Sequence, residues 1–223
     1  MVQLAAALLA LLCVSTHLSA KIHALFTSAL LETQFEERKE EYIRNISQFR
    51  SFGLDPWIIE AMHVNSSFFD EITTQVLYPQ KNNAALRNKG VNETMSIRAS
   101  LPFLPFEDED IVVKVTGRYF LKDDSFLKYI ESTSDDFDVW GVFGRHYNQP
   151  GDLFTGCFAM RWKYLKQIIS EMDLEKAEID YIAVEILFGR FIRDNHLRVK
   201  EMDSLHVKAR VFYDGCNATY YDF

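Results

Sequence analysis

Cysteine is scarce in this sequence, with three in 223 residues. If the apolar N-terminal segment carrying Cys13 is removed, Cys157 and Cys216 remain as one candidate disulfide pair, and linear sequence cannot say that they meet. A thiol nucleophile finds little support, because no His and Asn partnership accompanies Cys157. Basic excess is also missing: 24 Lys and Arg stand against 32 Asp and Glu, for a formal net charge of −8. That balance argues against a nucleic-acid partner, since phosphate neutralisation needs a basic face, but it leaves room for a local basic pocket. The histidines lack metal-ligand spacing, which argues against a zinc site. No internal repeat, low-complexity stretch or second-domain boundary divides the chain.

What is present is an ordinary globular composition, 48% apolar and 25% charged, with 18 Phe, 10 Tyr and 3 Trp to fill one sizeable core. Residues 1–20 stand apart. Val2 to Ser19 carries no charge, Leu4, Leu8, Leu9, Leu11, Leu12 and Val14 form an apolar run, and Ser19-Ala20 supplies small residues for cleavage. The reading is a signal peptide at 1–20 and a single domain at 21–223. A signal-anchor, the one route to a membrane, is the alternative. Four acceptor sequons, at Asn45, Asn65, Asn92 and Asn217, agree with a glycoprotein of the secretory pathway, in the ER or Golgi lumen or secreted.

Strand and helix patterns then alternate. Ile22 to Ser28 reads as a strand. A capping box at Thr33 and Glu36 opens a helix carrying Phe35, Arg38, Tyr42, Ile46 and Phe49. Trp57 to Met62 is a second strand, and a short helix with Phe68, Phe69, Ile72 and Val76 runs to Pro79. Asn88-Lys89-Gly90 opens a helix bearing Glu93. Its amino end offers free amides, and Lys89 is either a movable cation there or a solvated neighbour of a plain cap. Asp110 to Leu121, D-I-V-V-K-V-T-G-R-Y-F-L, is a buried strand with one odd member, Lys114, followed by the turn Thr116-Gly117-Arg118-Tyr119. A strand from Phe137 to Phe143, a turn or short strand from Phe154 to Arg161 that leads into a helix, a helix from Ala177 to Arg193 and a last strand from Leu205 to Tyr213 complete the pattern. The expected fold class is mixed α/β, mostly parallel, with helices on both faces.

Ligands of open α/β sheets bind at the carboxyl ends of the strands, and Lys114 with Arg118 at such an end points to an anion. The opening strand with Thr27-Ser28, Arg38, Asn88-Lys89-Gly90 with Glu93, the Lys114 to Tyr119 run and Thr155-Gly156-Cys157 together resemble small glycosyltransferases of the GT-A type, the nucleotide-diphospho-sugar transferases, over nearly all of Ile22 to Tyr213. The resemblance implies a Rossmann-like fold, a nucleotide-sugar donor and a glycan or glycoprotein acceptor. It implies donor contacts from Thr27, Arg38, Lys89, Gly90, Glu93, Lys114, Thr116, Gly117, Arg118, Tyr119, Thr155 and Gly156. The family commonly places an Asp-x-Asp motif at the end of the central strand to hold a divalent metal, and this sequence has Lys114 and Arg118 there instead. Cations in that position favour metal-independent transfer over manganese or magnesium. Asp136-x-Asp138 and Asp108-x-Asp110 both precede their strands. The candidate bases are Glu185, Asp180 and Glu178, with Glu185 preferred because burial beside Ala183-Val184 would raise its pKa. A non-catalytic carbohydrate-binding protein on the same fold is the rival reading.

Overall fold

The near-continuous apolar run of strand β4 (Ile111–Thr116) is buried on both faces because it lies inside the sheet, between β1 (Ile22–Ser28) and β7 (Cys157–Arg161). The structure, a computed structural model, describes residues 20–30, 34–79, 82–144, 151–212 and 218–222. With β2 (Trp57–Glu60), β3 (Val76–Leu77), β6 (Val139–Gly141) and β8 (Val199–Glu201), these strands form a seven-stranded sheet in the order β3-β2-β1-β4-β7-β6-β8. Pairing is parallel from β3 to β4 and again between β6 and β8. Only β7 runs antiparallel to its neighbours. The fold class is therefore the expected mixed α/β.

Residue alternation along the strands separates the core into two layers. Ala24, Phe26, Val113, Val115 and Cys157 face α1 (Phe35–Ser51), which contributes Tyr42, Ile46 and Phe49 at helical spacing. Helix α3 (Ser125–Ser132) packs Phe126, Leu127 and Ile130 into the same layer. Leu25, Val112, Phe158 and Met160 face the other way, towards α2 (Lys89–Ser100), α4 (Trp162–Glu171), α5 (Leu174–Ile179) and α6 (Val184–Asp194). Burial of each such side chain contributes about 1.5–3 kcal/mol before entropy is subtracted.

Several sequence expectations change here. The single helix expected from Ala177 to Arg193 is two helices, α5 and α6, with a break at 180–183 in which Tyr181 takes a left-handed φ of 53°. Val76 sits in a strand, because the helical turn after Ser67 ends as a four-residue 3-10 segment, Phe68–Glu71, capped by Ser67 and Asp70. The strand expected from Leu205 to Tyr213 is β9 (Val207–Phe212), which is followed by a further strand, β10 (Ala218–Asp222), and pairs with it and with β5 (Phe120–Leu121) in a separate antiparallel sheet. The capping-box Thr33, the N-terminal residues 1–19, His146 and Cys216 lie outside the described residues. No described helix is long and apolar enough to cross a membrane.

Two burial facts bear on modification. Asn45 is 0% exposed, and its side-chain amide donates to the carbonyls of Gly117 and Tyr119, so the first sequon is closed in the folded protein. Cys157 is a free thiol inside β7, and burial pushes its pKa up to about 12.

Candidate functional site

The carboxyl ends of β1 and β4 lie side by side, with Thr27 opposite Thr116 and Leu25 opposite Lys114. The same alternation that divides the core sends Lys114, Thr116 and Thr27 to the α2 face. Glu93, one turn into α2, meets them there. Its Oε1 accepts from Lys114 Nζ at 2.8 Å, from Thr116 Oγ1 at 3.2 Å and from the Thr27 hydroxyl. Lys114 is 2% exposed, and its other two donors go to Thr155 O at 2.7 Å and Thr116 Oγ1 at 3.1 Å. Burial opposes the charge on Glu93, but the Lys114 ammonium and the three hydrogen bonds outweigh it and hold this carboxyl below its ordinary range. Glu93 Oε2 has no partner among the described residues, and the side chain is 25% exposed.

The network continues to α6. Thr155 Oγ1 donates to Glu185 Oε1 at 2.8 Å, while Leu153 N donates to the backbone carbonyl of Glu185 at 3.2 Å. Glu185 is half-buried in the first turn of α6. Helix α2 approaches the start of α6 closely at Gly90, where an added Cβ would stand 2.6 Å from Val184 Cγ2. Asn88 caps α2, accepting from Gly90 N and Val91 N at 3.1 and 3.4 Å, so those amides are already used. Lys89 is exposed at this end.

The second half of the site lies on the α1 face. Arg38, 8% exposed, donates to Gln34 Oε1 and to the carbonyl of Ala29 in the turn after β1. Burial first, and then the Arg118 guanidinium, lower its pKa, while Tyr42 and Glu41 act in the opposite direction. The Tyr42 hydroxyl accepts from Ala29 N at 3.1 Å, and burial pushes its pKa up. Ser28 Oγ donates to the fully buried Glu60, whose Oε1 also accepts from Met62 N at 2.7 Å. This carboxylate ties the turns after β1 and β2 together.

The sequence expectation placed Lys114 and Arg118 on one anion. Lys114 is enclosed on the α2 face by Glu93, Thr116 and Thr155, while the Arg118 charge acts on Arg38 and Tyr42. Gly117 is needed for close packing, since a Cβ there would stand 2.2 Å from Tyr42 Cε1. Its N–H donates to Thr27 O at 2.9 Å. Gly156 acts likewise under Tyr119, whose ring stacks on Phe154 with centroids 5.9 Å apart. Asp180, expected on the same helix as Glu185, is exposed at the end of α5 and outside the network. Glu178 accepts from Arg87 N and Asn88 N and so anchors α5 to α2. Tyr42, Glu60 and Asn45 shape the site without having stood out as site residues in the sequence. Their apolar-helix and strand-end positions resemble ordinary core positions, and only contact with Arg38 or the β4 turn distinguishes them.

At the end of β4 the Lys114 ammonium takes Oε1 of Glu93, the Thr116 hydroxyl and the Thr155 carbonyl. The acidic pairs elsewhere are also engaged. Asp138 is gripped by Arg161 and Arg198, Asp108 by Lys166, and Asp110 by His23 and Lys21 N. Among the described residues no cluster of three or more His, Cys, Asp or Glu is placed to hold a metal. A cavity of about 320 Å³ between α4, α5 and α6 is lined by none of these network residues.

Against known proteins, no family model matches the chain, and no curated protein matches it. Solved structures do resemble it. A 4-diphosphocytidyl-2C-methyl-D-erythritol synthase is similar at 10% identity over 89% of this chain and 95% of that one, with a TM-score of 0.49. The glycosyltransferase GlyE of Streptococcus pneumoniae is similar at 8% identity over 82% and 45%, with a TM-score of 0.49. A Drosophila β-1,4-galactosyltransferase 7 variant in complex with manganese, UDP-Gal and xylobiose is similar at 11% identity over 81% and 65%, with a TM-score of 0.44. These likenesses concern the course of the chain and carry nothing about its chemistry.

Proposed function

We propose that this protein is a glycosyltransferase that moves a sugar from a nucleotide-diphosphate donor to a hydroxyl of a glycan or glycoprotein. The observation that carries the reading is Arg38, buried in α1 and donating to the Ala29 carbonyl in the turn after β1, with Arg118 near enough for its charge to act on it; a diphosphate at this edge could accept from both guanidiniums. In this reading Arg38 and Arg118 bind the diphosphate in place of a metal. They stabilise the negative charge that the departing nucleoside diphosphate acquires as the bond between its oxygen and the anomeric carbon breaks. Glu185 accepts the proton of the acceptor hydroxyl as that oxygen bonds to the anomeric carbon. Thr155 holds Glu185 Oε1 and leaves the second oxygen for this task. Lys114 and Glu93 act one step behind, by fixing Thr155 and Thr27.

Titration calorimetry with UDP, GDP, CDP and dTDP, each with and without manganese, tests the reading. Binding of at least one nucleotide is expected, with loss in Arg118→Ala and in Arg38→Ala while the circular dichroism spectrum stays unchanged. No binding to any of the four would sink it.

One observation favours the non-catalytic carbohydrate-binding alternative: Lys114, the odd cation of the central strand, is spent on internal oxygens. Glycan binding without donor turnover would select it. A place in the secretory pathway is proposed from the apolar residues 1–20 and from the sequon at Asn65, which is exposed. Expression in a secreting eukaryotic cell should give a band that shifts on glycosidase treatment, and an unshifted cytosolic band would refute it.

A further inference from the structure

At the amino ends of β1 and β4 the chain meets a buried carboxylate that has no permanent cation beside it. Ile22 pairs with Ile111, and Ile111 N donates to Lys21 O at 2.8 Å, so strand pairing fixes the Lys21 nitrogen beside the turn before β4. That nitrogen donates to Asp110 Oδ1 at 3.1 Å. Asp110 is 6% exposed, and its Oδ2 meets Glu107 N and His23 Nε2, each at 2.9 Å, with the imidazole stacked on Phe106. The backbone of Asp110 is held as well, its N–H by Glu107 O and its carbonyl by Trp162 N. Among the described residues no Lys or Arg side chain pairs with this carboxylate. The neighbouring acids do have such partners, Asp108 in Lys166, and Glu109 in Arg161 and Lys163. A carboxylate taken out of water is costly to keep ionised without a compensating charge.

We propose that the compensating charge is the α-ammonium of Lys21, created when the Ala20–Lys21 peptide bond is hydrolysed during secretion, and that Asp110 is the receptor for this processed amino terminus. The inference rests on the secretory reading of residues 1–20 and is independent of the transferase reading. Ser19-Ala20 supplies the small residues that a secretory peptidase needs, at the end of the uncharged stretch Val2 to Ser19. Water adds across the bond. Its oxygen stays with Ala20 as part of a carboxylate, and both of its hydrogens end on the Lys21 nitrogen, which is an ammonium at neutral pH. Where the amide offers one N–H, the ammonium offers three, together with a full positive charge at the same point. A signal-anchor left in place keeps this nitrogen a neutral amide, so the corner fits the cut chain better than the uncut one. The receptor lies at the opposite edge of the sheet from Thr27 and Thr116, and so it serves maturation and stability and takes no part in donor binding.

Expression of the full chain in a secreting eukaryotic cell, followed by amino-terminal sequencing and limited acetylation, tests the proposal. The secreted protein should begin at Lys21. Tandem mass spectrometry then separates acetylation of the Lys21 α-amine from that of its ε-amine, which serves as an internal reference. Relative to a free peptide of Lys21 to Phe26, the α-to-ε ratio at neutral pH should fall about tenfold or more in the native protein. Each unit by which the carboxylate raises the ammonium's pKa removes about nine-tenths of the reactive free amine. Asp110→Asn should restore most of the peptide's ratio, and the comparison of native protein with peptide decides the matter even where that variant fails to fold. Retention of residues 1–20 overturns the proposal together with the processing on which it rests. A start at another residue, or a Lys21 start with the peptide's ratio, overturns the proposal alone.

Discussion

Lys114 Nζ lies 2.8 Å from Glu93 Oε1, and the lysine side chain is 2% exposed. This pair crosses from β4 to α2 and sets the position of everything at the sheet edge. Removal of one partner of a buried pair leaves an uncompensated charge and costs about 3–5 kcal/mol. Glu93→Ala should therefore lower the unfolding free energy by roughly that amount. The double variant Glu93→Leu with Lys114→Met should recover most of it, because apolar isosteres avoid the desolvation cost. Denaturant melts of the single and double variants decide the matter, and additive losses would show that the pair is not coupled.

The same pair makes stability depend on acid. Glu93 has a folded-state pKa held below its ordinary 4.5, so its contribution is complete above pH 4.5 and is lost as pH falls through the lower folded value. Thermal melts of wild type and Glu93→Gln between pH 7 and pH 3 should differ most at neutral pH and converge below pH 4.5. A gap that stays constant across the range would contradict the assignment.

Gly117 carries Tyr42 against the turn after β4. Ala in its place puts a Cβ 2.2 Å from Tyr42 Cε1, and overpacking of this sort costs about 1–3 kcal/mol. Because the charges of Arg38 and Arg118 both act on Tyr42, Gly117→Ala should also weaken the nucleotide binding proposed above. Unchanged affinity in a folded Gly117→Ala variant would detach the turn from the anion site.

Cys157 should resist modification. Its thiol is 0% exposed with a pKa pushed to about 12, so almost none is thiolate at pH 8. Iodoacetamide applied to native protein should leave the Cys157 peptide unlabelled by mass spectrometry, and labelling should follow addition of guanidinium. Rapid native labelling, or recovery of Cys157 in a disulfide, would place this strand differently.

The sequence by itself determined the layering. The apolar run of β4, the helical spacing of Tyr42, Ile46 and Phe49, and the strand from Ile22 to Ser28 are local patterns of side-chain period, and period survives in one dimension. The Asn88 cap on α2 was legible for the same reason. Other features required tertiary contact. Whether the amide of Asn45 is available depends on the β4 turn reaching α1, 72 positions away in sequence. The α5–α6 break depends on Asn88 and Glu178 tying those helices to α2, because helical propensity continues across Asp180 to Ala183. The direction of Lys114 was implicit in strand alternation, but its partners were not. Glu93 and Thr155 come from a helix and a loop 21 and 41 positions away. An ammonium so buried is stable only with such oxygens around it, and so the tertiary structure, rather than the motif, decided that Lys114 braces the edge of the sheet.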